Sequence, residues 1–361
     1  MASSNPFDDD YDPNFAPPEA KAEPVPSPQA PASAPGPFDE GYVAPEPEPE
    51  APSMPAGPLI TQPGEYPDID GETYHRVEVC DAPSISASGL KIISSQSAYH
   101  YWWQSPLNPQ RPAQPQKQHF NVGKGVHDLL LLQDLFPKNY FILPEGFDAR
   151  LKKWADAKDE RAEAIKSGVP VLSFDQYRMV YAMADQVERN DLAKALIVSG
   201  VPEMTLAAKD PVTGVWIRSK PDILPDTKDI IPDIKTAASA HPDEFEKAAT
   251  KFGYFKSAAH YMDIIDLIYG EPVGMKRRFV LIVVESTPPH LVQIYHLDDE
   301  AIQMGRMVNR QALNTFAECL STGIWPGYSK PDQPILPLHM TAWAQSQIGR
   351  RVDSGELSWE G

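Results

Sequence analysis

The chain has 361 residues, 42% of them hydrophobic, and a formal net charge of −18. That composition suits one large globular domain with tails. The charge argues against non-specific duplex binding over the whole surface, while leaving room for a local basic groove.

The first 60 or so residues stand apart. They hold sixteen of the 39 prolines and eleven acidic residues against Lys21 alone, in stretches such as "APPEAKAEPVPSPQAPASAPGPF". So little apolar surface cannot offset the entropy of ordering, and residues 1–60 are expected to be disordered and partly polyproline II. Much of the negative charge sits there, so the remainder is only mildly acidic. The N-terminus lacks a basic region followed by an apolar one, and no window approaches a membrane span. Cys80 and Cys319 are far apart without metal-ligand spacing. Two reduced thiols in a reducing cytoplasm are expected.

Order is expected from about residue 70 to 328. "SISASGLKII" offers Ser86 or Ser88 as the cap of a short helix. After a Pro- and Gln-rich loop, "NVGKGVHDLLLLQDLF" suits a buried helix starting after Gly123. "DARLKKWADAKDERAEAIKSG" reads as a charged helix, and "SFDQYRMVYAMADQVERN" as another capped by Ser173 or Asp175. The pattern then turns to strands: "EMTLAAKD", "VWIRSKPDIL", a turn at "PDTKD", and "IIPDIKTA". "DEFEKAATK" and "YFKSAAHYMDIIDLIYG" are helical, "RRFVLIVVES" and "LVQIYHLD" are strands, and "DEAIQMGRMVNRQALNTFAECLSTG" is a long helix. Residues 329–361 read as a Pro-rich, then polar extension, partly disordered. The order predicts an α/β or α+β domain with a central mixed sheet flanked by helices.

The stretch "KPDILPDTKDIIPDIKTA" places four aspartates among strand-forming apolar runs. Read as a hairpin, it ends one strand at Asp222 and carries Asp233 and Lys235 on the next. Strand positions i and i+2 face the same side, so Asp233 and Lys235 project together, and Asp222 can reach the same patch. Hard carboxylate oxygens suit Mg²⁺ or Mn²⁺. A lysine beside such a cation can stabilise charge on a scissile phosphate. A solvated hairpin with a surface Asp–Lys pair is the plainer alternative.

The spacing Pro221-Asp222, Asp233-x-Lys235 resembles the PD-(D/E)XK nuclease motif. The blocks "SISASGLKIISSQSAYHYWW", "FNVGKGVHDLLLL", "RSKPDIL", "IIPDIKTAASA", "GYFKSAAHYMD" and "RRFVLIVVESTPPHLVQIYHLDDEAIQMGR" together resemble the RecE-type (exonuclease VIII-like) exodeoxyribonucleases of phages and prophages, over residues 74–328. The resemblance implies a restriction-endonuclease-like core and a Mg²⁺-dependent exodeoxyribonuclease, Mn²⁺ being an alternative. It implies digestion of double-stranded DNA ends, 5′ to 3′, to give 3′ single strands for recombination. His127, Asp222 and Asp233 match the metal ligands and Lys235 the catalytic lysine. Glu203, on the strand before the meander, matches an acidic position near the metal. A homo-oligomer and a single-strand annealing protein as partner are expected on the same footing, and no membrane association.

Arg218 and Lys220 share strand parity with Asp222 and could line the DNA face. Lys251, Lys256, Tyr254 and Tyr261 could contact DNA from the following helix. "MKRRF" is either a basic DNA contact or the solvated start of a strand. Trp102 and Trp103 could stack a base at a melted end or pack in the core. One departure stands out: the family's Q-x-x-x-Y helix has Ser257 four residues before Tyr261. Lys256 or Tyr254 would then take over, or the site is tuned down. A RecB-like repair endonuclease or flap nuclease, and a catalytically weak DNA-end-binding scaffold, are the alternatives.

Overall fold

Strand Ile230–Ala237 runs parallel to Arg278–Glu285, with Asp233 opposite Leu281 and Lys235 opposite Val283. This pairing belongs to a computed structural model that describes residues 58–67, 69–112, 122–133, 135–272, 276–329 and 335–358. Parallel neighbours need a crossover connection, and helices Pro242–Phe252 and Tyr254–Tyr269 lie in it. Val292–His296 adds antiparallel on the far side of Arg278–Glu285. Ile230–Ala237 is thus an edge of this three-stranded sheet.

Both faces of the central strand are covered, which is why "RFVLIVV" reads as an unbroken apolar run. Phe279, Leu281 and Val283 pack with Ala258, Ala259, Met262 and Ile265 of the crossover helix, and with Ile302, Leu313 and Phe316 of helix Asp299–Thr322. Ile282 and Val284 pack with Val126 and Leu130 of helix Val122–Leu131, and with Val180 and Met183 of helix Phe174–Glu188. The same alternation sorts the edge strand. Ile231 joins the first cluster and Ile234 the second, so Asp233 and Lys235 share parity with Ile231.

A second, four-stranded sheet has the order Gly64–Tyr66, Thr205–Lys209, Trp216–Ser219, Ser84–Ser86. Two small ladders join Gly200–Pro202 to Ile223–Pro225 and Phe141–Ile142 to Val171–Leu172. The fold class is the mixed α/β one expected, a mixed sheet flanked by helices.

The local signals explain most helices. Ser173 caps Phe174–Glu188 in a capping box with Gln176, and Gly323 in the left-handed region ends Asp299–Thr322. Two expectations need correction. "VWIRSKPDIL" is two strands: it breaks between Ser219 and Ile223, where Pro221 has no N–H to donate. The expected hairpin ladder is replaced, because Ile223–Pro225 pairs with Gly200–Pro202. The C-terminal extension contains a helix, Ala342–Asp353, capped by Thr341 with no side chain buried. The expected disorder of residues 1–60 falls almost wholly outside the described residues. Among the described residues no helix is long and apolar enough to cross a membrane, and both cysteines are buried free thiols.

Two features hold the crossover helix Tyr254–Tyr269 in place. At Gly305 a Cβ would meet the Phe255 carbonyl oxygen at 2.4 Å, so only glycine lets helix Asp299–Thr322 approach this closely. His260 is buried, and its Nε2 donates to the Arg218 carbonyl at 3.0 Å. Burial drives its pKa down to about 4, against that bond.

Gly305→Ala is expected to cost about 1–3 kcal/mol by separating the two helices, read by denaturant unfolding. His260 stays neutral in the fold, whereas an unfolded histidine takes up its proton near pH 6.5. Its contribution is therefore full above that pH and is lost as the pH falls towards about 4. His260→Gln keeps a donor but cannot charge. It should lose about 3 kcal/mol less than the parent between those pH values, a difference measured by unfolding at each pH.

Candidate active site

The site forms where the edge strand meets the strand break at Pro221. Asp222 Oδ2 accepts the backbone N–H of Ile234 at 2.6 Å. Its own carbonyl accepts the Glu203 N–H at 3.1 Å. One aspartate thus ties the Ile230–Ala237 strand to the turn that carries Glu203.

His127 enters from helix Val122–Leu131. Val126 and Leu130 are buried against the sheet, which sets the helix rotation and turns His127 towards the strand ends. Its Nε2 lies 3.0 Å from Asp222 Oδ1 and 3.3 Å from Glu203 Oε1. On the other side of the ring, Nδ1 is 3.7 Å from Asp128 Oδ1. Asp128 is itself held by Tyr140 Oη at 2.6 Å and by Lys124. A carboxylate behind the histidine is the usual means of fixing ring orientation at a metal centre.

Glu203 does not lie on a strand, as expected, but in the turn between Gly200–Pro202 and Thr205–Lys209 with φ of 54°. A non-glycine residue in the left-handed region is uncommon and carries strain. The conformation puts its carboxylate between His127 and Lys220, whose Nζ is 3.3 Å from Oε2. Lys220 also donates to the Ile69 carbonyl at 3.0 Å.

Asp233 is 4% exposed and ion-paired with Lys235. Its Oδ2 is buried without a hydrogen bond of good geometry. Burial raises its pKa, the Lys235 charge opposes this and the Asp222 carboxylate adds to it, leaving Asp233 at about 6. Lys235 stays charged despite burial because Asp233 and Asp222 hold its proton. The Tyr254 ring lies 5.5 Å from its ammonium. Asp222 is likewise buried, yet the His127 and Lys235 charges keep it below the ordinary carboxylate value. For His127, burial opposes the charge, but Asp222, Asp128 and Glu203 outweigh it and push the pKa up to about 10.

The arrangement is thus short of positive charge, and a proton on His127 makes up the deficit. The donor set fits a divalent cation. His127, Glu203 and Asp222 each offer a ligand atom, all within 4.8 Å of one another. Two carboxylates and an imidazole are a mixed oxygen and nitrogen donor set of the kind that divalent cations accept. Asp233 lies outside that triad, beside Lys235. Of the expected ligands, His127 and Asp222 lie in this triad together with the further candidate Glu203, and Asp233 stands beside it.

The DNA-contact candidates divide. Lys220 faces the carboxylates. Arg218 does not line the site: it is buried, donates to Ser84 Oγ at 2.8 Å and lies 4.8 Å from the Tyr74 ring. Lys256 reaches Ser94 Oγ at 3.2 Å. Lys251 is exposed at the end of the preceding helix. Tyr254 sits by Lys235, at the end of the helix where the sequence departs at Ser257. Tyr261 packs edge-on to Phe279 at 6.1 Å and is a wall rather than a surface contact. In "MKRRF", Arg277 is buried on Asp266 at 2.9 Å, and Met275 lies outside the described residues. Two residues escaped the sequence reading. Asp128 adjoins His127 in "VHDL", and that adjacency was the available signal. Lys91 lies near Lys235, Asp233 and Lys256, its pKa lowered by burial and by the two lysines. Nothing in "SGLKII" announced it.

Fold and site together define the class of PD-(D/E)XK nucleases. Residues 86–332 match the family described as "PDDEXK-like domain of unknown function (DUF3799)", and the chain belongs to that family. It is also similar in fold to a crystal structure from Eubacterium rectale described as a "putative exonuclease", with TM-score 0.50 and 16% identity over 77% of this chain and 98% of that one. No curated protein is significantly similar in sequence.

Cation binding should release about one proton, because His127 must deprotonate to become a ligand. Affinity for Mn²⁺ should therefore rise with pH across the neutral range. Calorimetry in two buffers of different ionisation enthalpy measures this. Glu203→Gln should weaken binding by about tenfold or more, and equal affinity would remove Glu203 from the ligand set.

Proposed function

We propose that the protein is a divalent-metal-dependent exodeoxyribonuclease acting on the ends of linear double-stranded DNA. The observation that carries this reading is the convergence of Asp222, Asp233 and Lys235 with His127 and Glu203 at one edge of the mixed sheet. The RecE-like blocks of the sequence support the finer reading: 5′ to 3′ digestion that leaves 3′ single strands for phage or prophage recombination.

His127, Glu203 and Asp222 would hold the cation, with Asp233 beside them. A cation bound there supplies Lewis acidity, lowering the pKa of water and neutralising phosphate charge. Lys235, held protonated by its two carboxylates, balances the charge that develops on a phosphate under attack. Asp233, buried beside Lys235 and next to the triad, would help orient an attacking water. Lys220, Lys91 and Lys256 flank the carboxylates and can position backbone phosphates. Arg218 contributes from below, by fixing the strand that leads to Lys220.

With Mg²⁺, linear duplex should yield acid-soluble nucleotides while closed circles stay intact. Asp233→Ala or Lys235→Ala should each lower the rate by about 100-fold or more. Nicked circles would instead identify an endonuclease. Wild-type rates in both variants would place the chemistry elsewhere.

A further inference from the structure

Helix Pro242–Phe252 ends in a ring that the catalytic reading leaves unused. Phe245 and Phe252 lie two turns apart and so share one face of the helix. That face is turned inward: Phe245 is buried, and Ala248 and Ala249 pack against the main core. Phe252 is nevertheless 55% exposed. An inward-facing ring that stays open to solvent sits at a rim, past the edge of the body it faces.

That rim adjoins the catalytic centre. The Phe252 ring stacks on Tyr254 at 5.9 Å, with 26° between their planes. The Tyr254 ring in turn lies 5.5 Å from the Lys235 ammonium. Two contacts thus lead from the open ring to the catalytic lysine and its partner Asp233. On the inner side, Phe245 lies 6.0 Å from Tyr254 and stacks on Tyr295 at 5.1 Å, with 18° between planes. The aromatic row is therefore anchored in the core at one end and free at the other. The Lys251 ammonium lies 5.9 Å from the Phe252 ring, which puts a cation beside the free end. By contrast, Trp216 is fully buried, and Trp103 is 49% exposed on the side of helix Ala98–Gln104 opposite Tyr101, which packs on Phe316 in the core.

A nuclease that draws a phosphate to Lys235 must also accommodate the bases on either side of that phosphate. At a duplex end these bases separate from their partners at least cost. An open π-face beside a cation takes such a base whatever its identity, with the phosphate on the cation and the base on the ring.

We propose that Phe252, backed by Tyr254, is a stacking subsite for the base of an unpaired nucleotide at the DNA end, with Lys251 on an adjoining phosphate. The inference rests on the reading of the site as a DNA nuclease and adds where the terminal base is held. The competing role is purely internal: a row of rings that steadies Lys235 and touches no base.

The test compares two linear duplexes of equal charge. In one, the last two nucleotides of each strand are mismatched and unpaired; in the other, abasic residues replace them. Binding is measured in EDTA, where no metal-dependent hydrolysis occurs. Wild type should prefer the duplex that carries bases by about 5- to 100-fold. Phe252→Leu, which keeps an apolar side chain but no ring, should lose that preference, and Phe252→Tyr should retain it. Wild type that binds both duplexes equally, or neither, overturns the subsite. A Phe252→Leu variant that weakens on both duplexes alike, with the preference intact, assigns the ring to the internal role and also overturns it. Hydrolysis by the wild type with Mg²⁺ judges the nuclease reading separately. Base-dependent binding without hydrolysis sinks that reading and leaves the subsite standing.

Discussion

The contact on which the site depends is the hydrogen bond from the Ile234 N–H to the Asp222 carboxylate. Ile230–Ala237 is an edge strand, and an edge strand presents backbone donors that must find a partner. Here one of those donors is met by a side chain. That choice brings the carboxylate against the sheet, and His127 and Glu203 gather around its other oxygen. Strand break, sheet edge and acidic centre are one arrangement. Pro221 interrupts pairing, Asp222 takes over the donor, and the turn at Glu203 is held by the Asp222 carbonyl.

The electrostatics follow from that compression. Asp222, Asp233, Glu203 and Asp128 crowd into a half-buried edge, and carboxylates cannot be desolvated without compensation. The protein compensates with Lys235, Lys220, Lys124 and a protonated His127. The balance is incomplete, as the raised pKa of Asp233 shows. A site with that residual deficit favours a small hard cation, and the strain at Glu203 is consistent with a residue placed for function rather than for stability.

The legible parts of the sequence were those with local causes. The cap at Ser173, the unbroken apolar run "FVLIVV" of a strand buried on both faces, the glycine stop at Gly323 and the D-x-K parity all depend on neighbours in sequence, and all are present in the fold. Less legible were features set by remote packing. The inward turn of Arg218 follows from Tyr74 and Ser84, and that of Arg277 from Asp266. The pairing of Ile223–Pro225 was misread because a strand's partner is chosen by the sheet, not by the nearest run of apolar residues. The exposure of Trp103 and the burial of Trp216 likewise cannot be separated by composition, since both are tryptophans in apolar contexts.

By itself the sequence determined which residues can carry the chemistry. Asp233 and Lys235 share a strand face because alternation allows nothing else, and Asp222 is near them because ten residues and a turn keep it near. Only the tertiary structure decided which of them meet. The helix of His127 is rotated by burial of Val126 and Leu130. Glu203 is aimed by a backbone conformation that its side chain does not favour. Lys91 arrives from a segment more than a hundred residues away. Periodicity acts along the chain, but convergence depends on packing across it, and that packing places one imidazole, three carboxylates and a lysine at a single edge.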